Sequence, residues 1–281
     1  MTIDAKNCLF ISDLDGTLLE PGSIFPENSV KRLNALIERG LNFTIATART
    51  YDSAHPLLKN VLLNHPAVLF NGVFLTDFHT GHNLIETDFI SHEVVHETME
   101  LLRPQNMDPF VYIYGDESRV MHGKASNQGA QNYLDTLETD RRLCQVEHYE
   151  FLNGERIAGF LVIDKKDKLD PIHDHLSSTY PEDLNLYFAE DICHPGYYWL
   201  QAFHAQTNKG SMVKRLAEKQ GFPLEQVVVF GDYLNDLEMF KIAGKALAVE
   251  NGLAEVKQVA DEIIPSNAEQ GVLQYLESLE L

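Results

Sequence analysis

Long apolar runs are missing from the 281 residues: none approaches the roughly 20 that a membrane-spanning helix requires, so no bilayer crossing is expected. Cysteine is scarce. Cys8, Cys144 and Cys193 stand far apart and form no CxxC pair, which argues against a disulfide framework or a zinc knuckle. Reduced thiols in a cytoplasmic protein are the plain expectation. The opening Met1 to Lys6 has neither the basic flank nor the apolar stretch of a signal peptide. Basic side chains are also in short supply, 22 against 42 acidic ones, for a net charge of -20. Such a surface repels nucleic-acid backbones and anionic membranes. It repels phosphorylated metabolites too, so a site for them needs a local cation, and a bound divalent metal is the obvious one. Internal repeats and low-complexity linkers are absent, and nothing points to an oligomeric state.

What is present is an ordinary globular balance, 44% hydrophobic and 23% charged, with alternating strand and helix signals. Cys8 to Ser12 is a short apolar run of the kind a buried parallel strand shows. Pro26 and Glu27 open a helix with Val30, Leu33 and Ile37 at helical spacing, and Gly40 stops it. Phe43 to Thr47 and Ala67 to Phe70 read as further strands, the latter ended by Asn71-Gly72. Phe74 to Asp77 and Asn83 to Glu86 flank a His79-Thr80-Gly81 turn, which predicts a hairpin. Helix signals at 94–102, 128–137 and 172–178, and strand signals at 110–114, 119–122, 157–163 and 184–188, predict a separate α+β insertion. Tyr198 to Phe203, the helix Lys209 to Gln220 and the buried strand Gln226 to Phe230 are read as the doubly wound pattern resuming. The expectation is an α/β protein, with a doubly wound parallel core formed by 1–83 and 195–281 and an inserted domain over 84–194.

Ligands of open α/β sheets bind outside the carboxyl ends of the strands. Asp13 and Asp15 follow the first strand, Thr47 ends the second, and Asp232, Asn235 and Asp236 follow Val227–Phe230; Lys209 opens the preceding helix. An aspartate is ionised at neutral pH and so is a nucleophile without a base. Asp13 beside Asp232 concentrates negative charge that a hard cation such as Mg2+ would offset. Lys209 can neutralise Asp13 and a transferring phosphoryl group, the Thr47 hydroxyl can bond a phosphoryl oxygen, and Asp15 can protonate a leaving alcohol and then activate water.

Asp13-Leu14-Asp15-Gly16-Thr17-Leu18 resembles the first motif of the haloacid dehalogenase (HAD) superfamily. Thr47-Ala48-Arg49 resembles the second, Lys209 the third and Gly231 to Phe240 the fourth. Asn208-Lys209-Gly210, Ala248 to Gly252 and Asn267 to Val272 are similar to the Cof-type subgroup. The resemblance covers both ends of the chain; in the middle it rests on the size and strand–helix pattern of a C2-type cap. It implies a Rossmann-like core with an inserted α+β cap, and Asp13 as phosphoryl acceptor with Asp15 as general acid/base. It further implies Mg2+ held by Asp13, the Asp15 carbonyl and Asp232, with Asn235 and Asp236 in support. Ala48 stands where many relatives carry Gly, and His204 where Pro is often found.

Other readings stand beside these. Arg49 can bind phosphate or form an ordinary ion pair, and Asn71 can be a site residue or only a turn former; Gly16 and Ala48 are candidate phosphate contacts. His92 and His96 share a helix face but lack a third ligand, His173 and His175 sit among charges, and Cys193 with His194 is read as structural. Tyr197, Tyr198 and Trp199 are read as strand residues re-entering the core. Tyr114, Asn127, Gln128 and Tyr187 are polar candidates for substrate contact that nothing in the sequence ranks. The expected activity is Mg2+-dependent hydrolysis of a small phosphorylated metabolite, a sugar phosphate or phosphorylated cofactor. The alternatives are a phosphomutase, which returns the phosphoryl group to substrate, and a non-enzymatic phospho-acceptor.

Overall fold

The structure is a computed structural model and describes residues 5–115, 117–138, 140–152, 154–191 and 194–281. Met1 to Asp4 and Cys193 lie outside the described residues. The chain divides into two compact units, Met1–Glu86 with Asn208–Leu281, and Thr87–Thr207 inserted between them.

The opening segment contains β1 (Leu9–Ser12), α1 (Glu27–Glu38), β2 (Asn42–Ile45), α2 (Tyr51–Leu58), β3 (Ala67–Leu69) and the hairpin β4 (Phe74–Thr76) and β5 (Asn83–Glu86). The insertion contains α3 (His92–Leu102), β6 (Phe110–Tyr114), β7 (Arg119–His122), α4 (Gln128–Thr136), β8 (Leu143–Gln145), β9 (Arg156–Asp164), α5 (Lys166–Thr179), β10 (Leu184–Glu190) and β11 (Tyr198–His204). The closing segment contains α6 (Lys209–Gln220), β12 (Val227–Gly231), α7 (Leu237–Ile242), β13 (Lys245–Val249), α8 (Ala254–Val259), β14 (Glu262–Ile264) and α9 (Gly271–Glu277).

In the first unit five parallel strands run in the order β14-β13-β12-β1-β2. A parallel bridge from Ala46 to Val68 sets β3 beside β2, and β3-β4-β5 continue antiparallel. Strands covered on both faces must be apolar throughout, and β1 and β12 are buried at every position. Successive side chains alternate between two cores, as the strand period demands. Phe10, Phe43, Ile45, Val228 and Phe230 pack with Leu33 and Leu36 of α1 and Leu273 and Leu276 of α9. Leu9, Ile11, Val227 and Val229 pack with Met212, Val213 and Leu216 of α6, and with Met239 and Val256. Helices therefore cover both faces, and the expected doubly wound α/β core is present.

The inserted unit is a six-stranded sheet in the order β10-β11-β9-β6-β7-β8, antiparallel except for the β7–β8 pair. Val95 and Leu102 of α3 and Leu169, Ile172 and Leu176 of α5 form its core with Val111, Ile113, Val162 and Leu200. The unit boundaries differ from the expected 83/84 and 194/195. β5 pairs with β4 and stays with the first unit, whereas β11 lies between β9 and β10 in the inserted sheet. The backbone of Leu200 is in register with both Val162 and Phe188, so β11 cannot belong to the parallel core.

Candidate active site

The peptide chain leaves β1 at Asp13, whose N–H donates to the Phe230 carbonyl of β12 at 3.0 Å. The strand order runs outward in opposite senses from these two parallel strands, to β2 on one side and to β13 and β14 on the other, which is where an open α/β sheet opens a crevice. β12 ends at Gly231-Asp232 beside it. Lys209 is the first residue of α6, and the Asn208 cap fixes that helix end by accepting the Ser211 N–H at 2.7 Å. Lys209 is fully buried. Its Nζ donates to Asp13 Oδ1 at 2.6 Å and to Asp236 Oδ1 at 2.7 Å. The other Asp236 oxygen accepts the N–H groups of Asp232 (2.9 Å) and Tyr233 (3.0 Å), locking the turn after β12. Thr17 donates its hydroxyl to Asp232 Oδ1 at 2.7 Å.

Carboxylate oxygens of Asp13, Asp232 and Asp236 all lie within 4.8 Å of one another, and all three residues are buried. A single buried ammonium among three carboxylates leaves excess negative charge. Burial pushes the Asp13 carboxyl well above the usual range, with Lys209 opposing and Asp236 and Asp232 adding to the rise. Burial also pushes Asp232 up to about 7, reinforced by Asp236 and offset by Thr17 and Lys209. Burial alone would lower Lys209, but Asp13 and Asp236 outweigh it and hold the ammonium charged. Two buried carboxyls that resist ionisation beside one another fit a hard divalent cation with oxygen ligands.

Asp15 is set apart from this cluster. Arg49 Nε donates to Asp15 Oδ2 at 2.6 Å and Arg49 Nη2 to Oδ1 at 2.7 Å, while Ser23 donates to Oδ1 at 2.8 Å. Burial would raise this carboxyl, but the Arg49 bonds and charge, with Ser23, hold it below the usual range. Arg49 thus makes an ion pair with the neighbouring acid of the first motif. The Arg49 N–H donates to Thr47 Oγ1 at 3.1 Å, and half-buried Ala48 lies between them.

Asn71 both turns the chain and meets a predicted partner. It is fully buried in the left-handed region (φ 51°), its N–H donates to the Thr47 carbonyl at 3.0 Å, and its Oδ1 accepts from Asn235 Nδ2 at 2.8 Å. Gly72 follows at φ +96°, where a Cβ would stand 2.2 Å from the Asn208 carbonyl oxygen, so glycine lets this turn press against the cap of α6. Gly16 has φ +79°, and a Cβ there would lie 2.3 Å from Asp232 Oδ2. The first-unit site residues thus fall into two hydrogen-bonded groups, one running through Asp13, Lys209, Asp236, Asp232 and Thr17 and the other through Asp15, Arg49, Thr47, Asn71 and Asn235. Among the described residues the histidines considered earlier form no such group: His92 Nε2 meets the Glu155 carbonyl at 2.8 Å, and His173 stacks on Phe188. Thr17 stood in the quoted first motif without a role, and Ser23 was not singled out, since a hydroxyl near an acidic motif carries no spacing signal for its partner.

Residues 10–276 match the model of the haloacid dehalogenase-like hydrolase family, and the chain belongs to that family. The expected class, a HAD-type phosphatase, is thereby met, and the non-enzymatic alternative falls away. The chain is 25% identical over 284 residues to 5-amino-6-(5-phospho-D-ribitylamino)uracil phosphatase YitU of Bacillus subtilis, covering 98% of each chain. It is 27% identical over 270 residues to pyridoxal phosphate phosphatase YbhA of Escherichia coli, covering 95% of this chain and 96% of the relative. A solved haloacid dehalogenase-like hydrolase from Bacteroides thetaiotaomicron shares the fold, with a TM-score of 0.80 at 22% identity over 96% of this chain and 98% of that one.

Proposed function

We propose that the protein is a Mg2+-dependent phosphomonoesterase that works through an aspartyl phosphate on Asp13. The observation that carries this reading is the buried junction of Asp13, Lys209, Asp232 and Asp236 at the ends of β1 and β12. In the first step an Asp13 carboxylate oxygen bonds to phosphorus as the ester P–O bond breaks, and the leaving alkoxide takes a proton from Asp15. In the second, water gives its proton to the Asp15 carboxylate and attacks phosphorus, releasing phosphate and regenerating Asp13. Lys209 fixes the Asp13 rotamer and holds positive charge beside it. The Thr47 hydroxyl accepts from the Arg49 N–H, which leaves its own hydrogen to donate to a phosphoryl oxygen. Asp13, the Asp15 carbonyl and Asp232 would hold Mg2+, which supplies charge compensation between an anionic nucleophile and an anionic phosphoryl group.

Asp15 in its Arg49 ion pair is the carboxylate that the second step needs; acting as the acid first requires exchanging Arg49 for a proton. Asn235 and Asp236 support the site through Asn71 and Lys209, and the backbone N–H groups of Gly16 and Ala48 are offered to phosphate. The substrate class is a small phosphorylated metabolite, a sugar phosphate or a phosphorylated cofactor, in line with the names of the two relatives. A cytoplasmic setting and the lack of nucleic-acid or membrane partners belong to the same proposal; the net charge of -20 supports the second of these. Among the described residues, no helix is long and apolar enough to cross a membrane. Asp13→Asn is expected to lower Mg2+-dependent turnover of p-nitrophenyl phosphate by at least about a thousandfold; undiminished turnover overturns the mechanism.

A further inference from the structure

Two asparagines from the closing segment hold the turn that follows β1. Asn251 Nδ2 donates to the Gly16 carbonyl at 2.8 Å. Asn251 Oδ1 accepts the Asn267 N–H at 3.0 Å, and Asn267 Nδ2 donates to the Leu19 carbonyl at 2.8 Å. Asn267 is buried and Asn251 is exposed. The same segment reaches β12, because the Leu253 N–H donates to the Asp232 carbonyl at 2.9 Å. Two side-chain amides, one from the turn after β13 and one from the turn after β14, therefore span Gly16 to Leu19, and the first of these turns is itself tied to Asp232.

The turn needs an external hold. Gly16 sits at φ +79°, ψ −10° between the peptide that carries the Asp15 carbonyl and the peptide that carries its own carbonyl. Glycine has the broadest backbone freedom of any residue, so its own sterics set the relative tilt of these two peptides only loosely. A bond to the Gly16 carbonyl anchors the second plane, so the first can tilt only about the two backbone dihedrals of Gly16. We propose that Asn251 and Asn267 are positioning residues that aim the Asp15 main-chain carbonyl at the cation site and keep Asp13 and Asp232 in register. This rests on the Mg2+-dependent reading above. Neither residue touches the reacting atoms. The effect should appear in metal affinity and kcat and leave the binding of a small aryl phosphate unaltered.

The test uses the full chain with Asn251→Ala, Asn251→Asp and Asn267→Ala. Mg2+ binding is measured by calorimetry without substrate, kcat and KM are measured with p-nitrophenyl phosphate, and the thermal midpoint is recorded for each variant. Asn251→Asp keeps the acceptor for the Asn267 N–H but loses the donor to Gly16. Asn251→Ala is expected to weaken Mg2+ binding roughly fivefold, the scale of one lost hydrogen bond, and Asn251→Asp by less, because its added carboxylate attracts the cation. Their kcat at subsaturating Mg2+ should fall in parallel and KM should stay within about twofold. Asn267→Ala should lower the thermal midpoint as well, since its amide is buried. A wild-type Mg2+ constant in Asn251→Ala overturns the inference, whether or not the thermal midpoint falls. Asp13→Asn assayed alongside separates the two levels: turnover by that variant sinks the mechanism, whereas an inactive Asp13→Asn with unaltered Asn251 variants sinks only the positioning role.

Discussion

Replacing Lys209 with methionine tests the electrostatic logic of the site most directly. The side chain is fully buried, and its ammonium is bonded to Asp13 at 2.6 Å and to Asp236 at 2.7 Å. Methionine fills much of the volume but leaves two buried carboxylates facing one another. Removing one partner of a buried ion pair costs about 3–5 kcal/mol, most of it the uncompensated charge. At about 2–4 °C per kcal/mol for a unit of this size, the metal-free thermal midpoint should fall by about 6–20 °C. Adding Asp236→Asn should recover part of that loss. The Asn oxygen can still accept from the Asp232 and Tyr233 N–H groups, and its amide can donate towards Asp13 in place of the lysine. Scanning calorimetry with EDTA on wild type, Lys209→Met and Lys209→Met/Asp236→Asn reads both effects. A single variant as stable as wild type, or a double variant no more stable than the single, would refute the reasoning.

Asp232, raised from an ordinary value near 3.8 to about 7, contributes stability that is fully present below about pH 4 and lost as pH rises through 7. Metal-free protein should therefore lose up to about 4 kcal/mol between those limits, read by urea titrations across pH; Mg2+ or Asp232→Asn should flatten the slope, and a flat metal-free wild-type profile counts against it. Gly16→Ala places a Cβ 2.3 Å from Asp232 Oδ2 at a φ of +79°. The left-handed backbone alone costs about 1–2 kcal/mol, so calorimetry should show both a lower midpoint and weakened Mg2+ binding, and normal values of both would show that the turn yields easily.

The parts of the fold that were legible in sequence are those whose signal is local. The unbroken apolar run of β12 and the polar groups directly after it announce a central parallel strand with a site at its end. β11 was misplaced because Tyr198 to His204 reads as a strand in either unit. Its partners Val162 and Phe188 are fixed by a sheet that local sequence does not describe. β8 was missed because Leu143–Gln145 is only 3 residues long and offers no period to count. Within the site, Asp13, Lys209 and Asp232 could be named from their positions, but Arg49 could not be assigned until its guanidinium was seen against Asp15. The Asn71–Asn235 and Asn267–Leu19 contacts join residues 164 and 248 positions apart, beyond the reach of any spacing argument.

The insertion leaves the first unit after Glu86 and returns at Asn208, one position before Lys209. Asp13, Asp15, Thr47 and Arg49 precede it, and Lys209, Asp232, Asn235 and Asp236 follow it. The hydrogen bonds described above between these side chains are made within the first unit. The insertion is one contiguous stretch of gene between two that encode these bonds, so a substitution within it alters none of the side chains that make them.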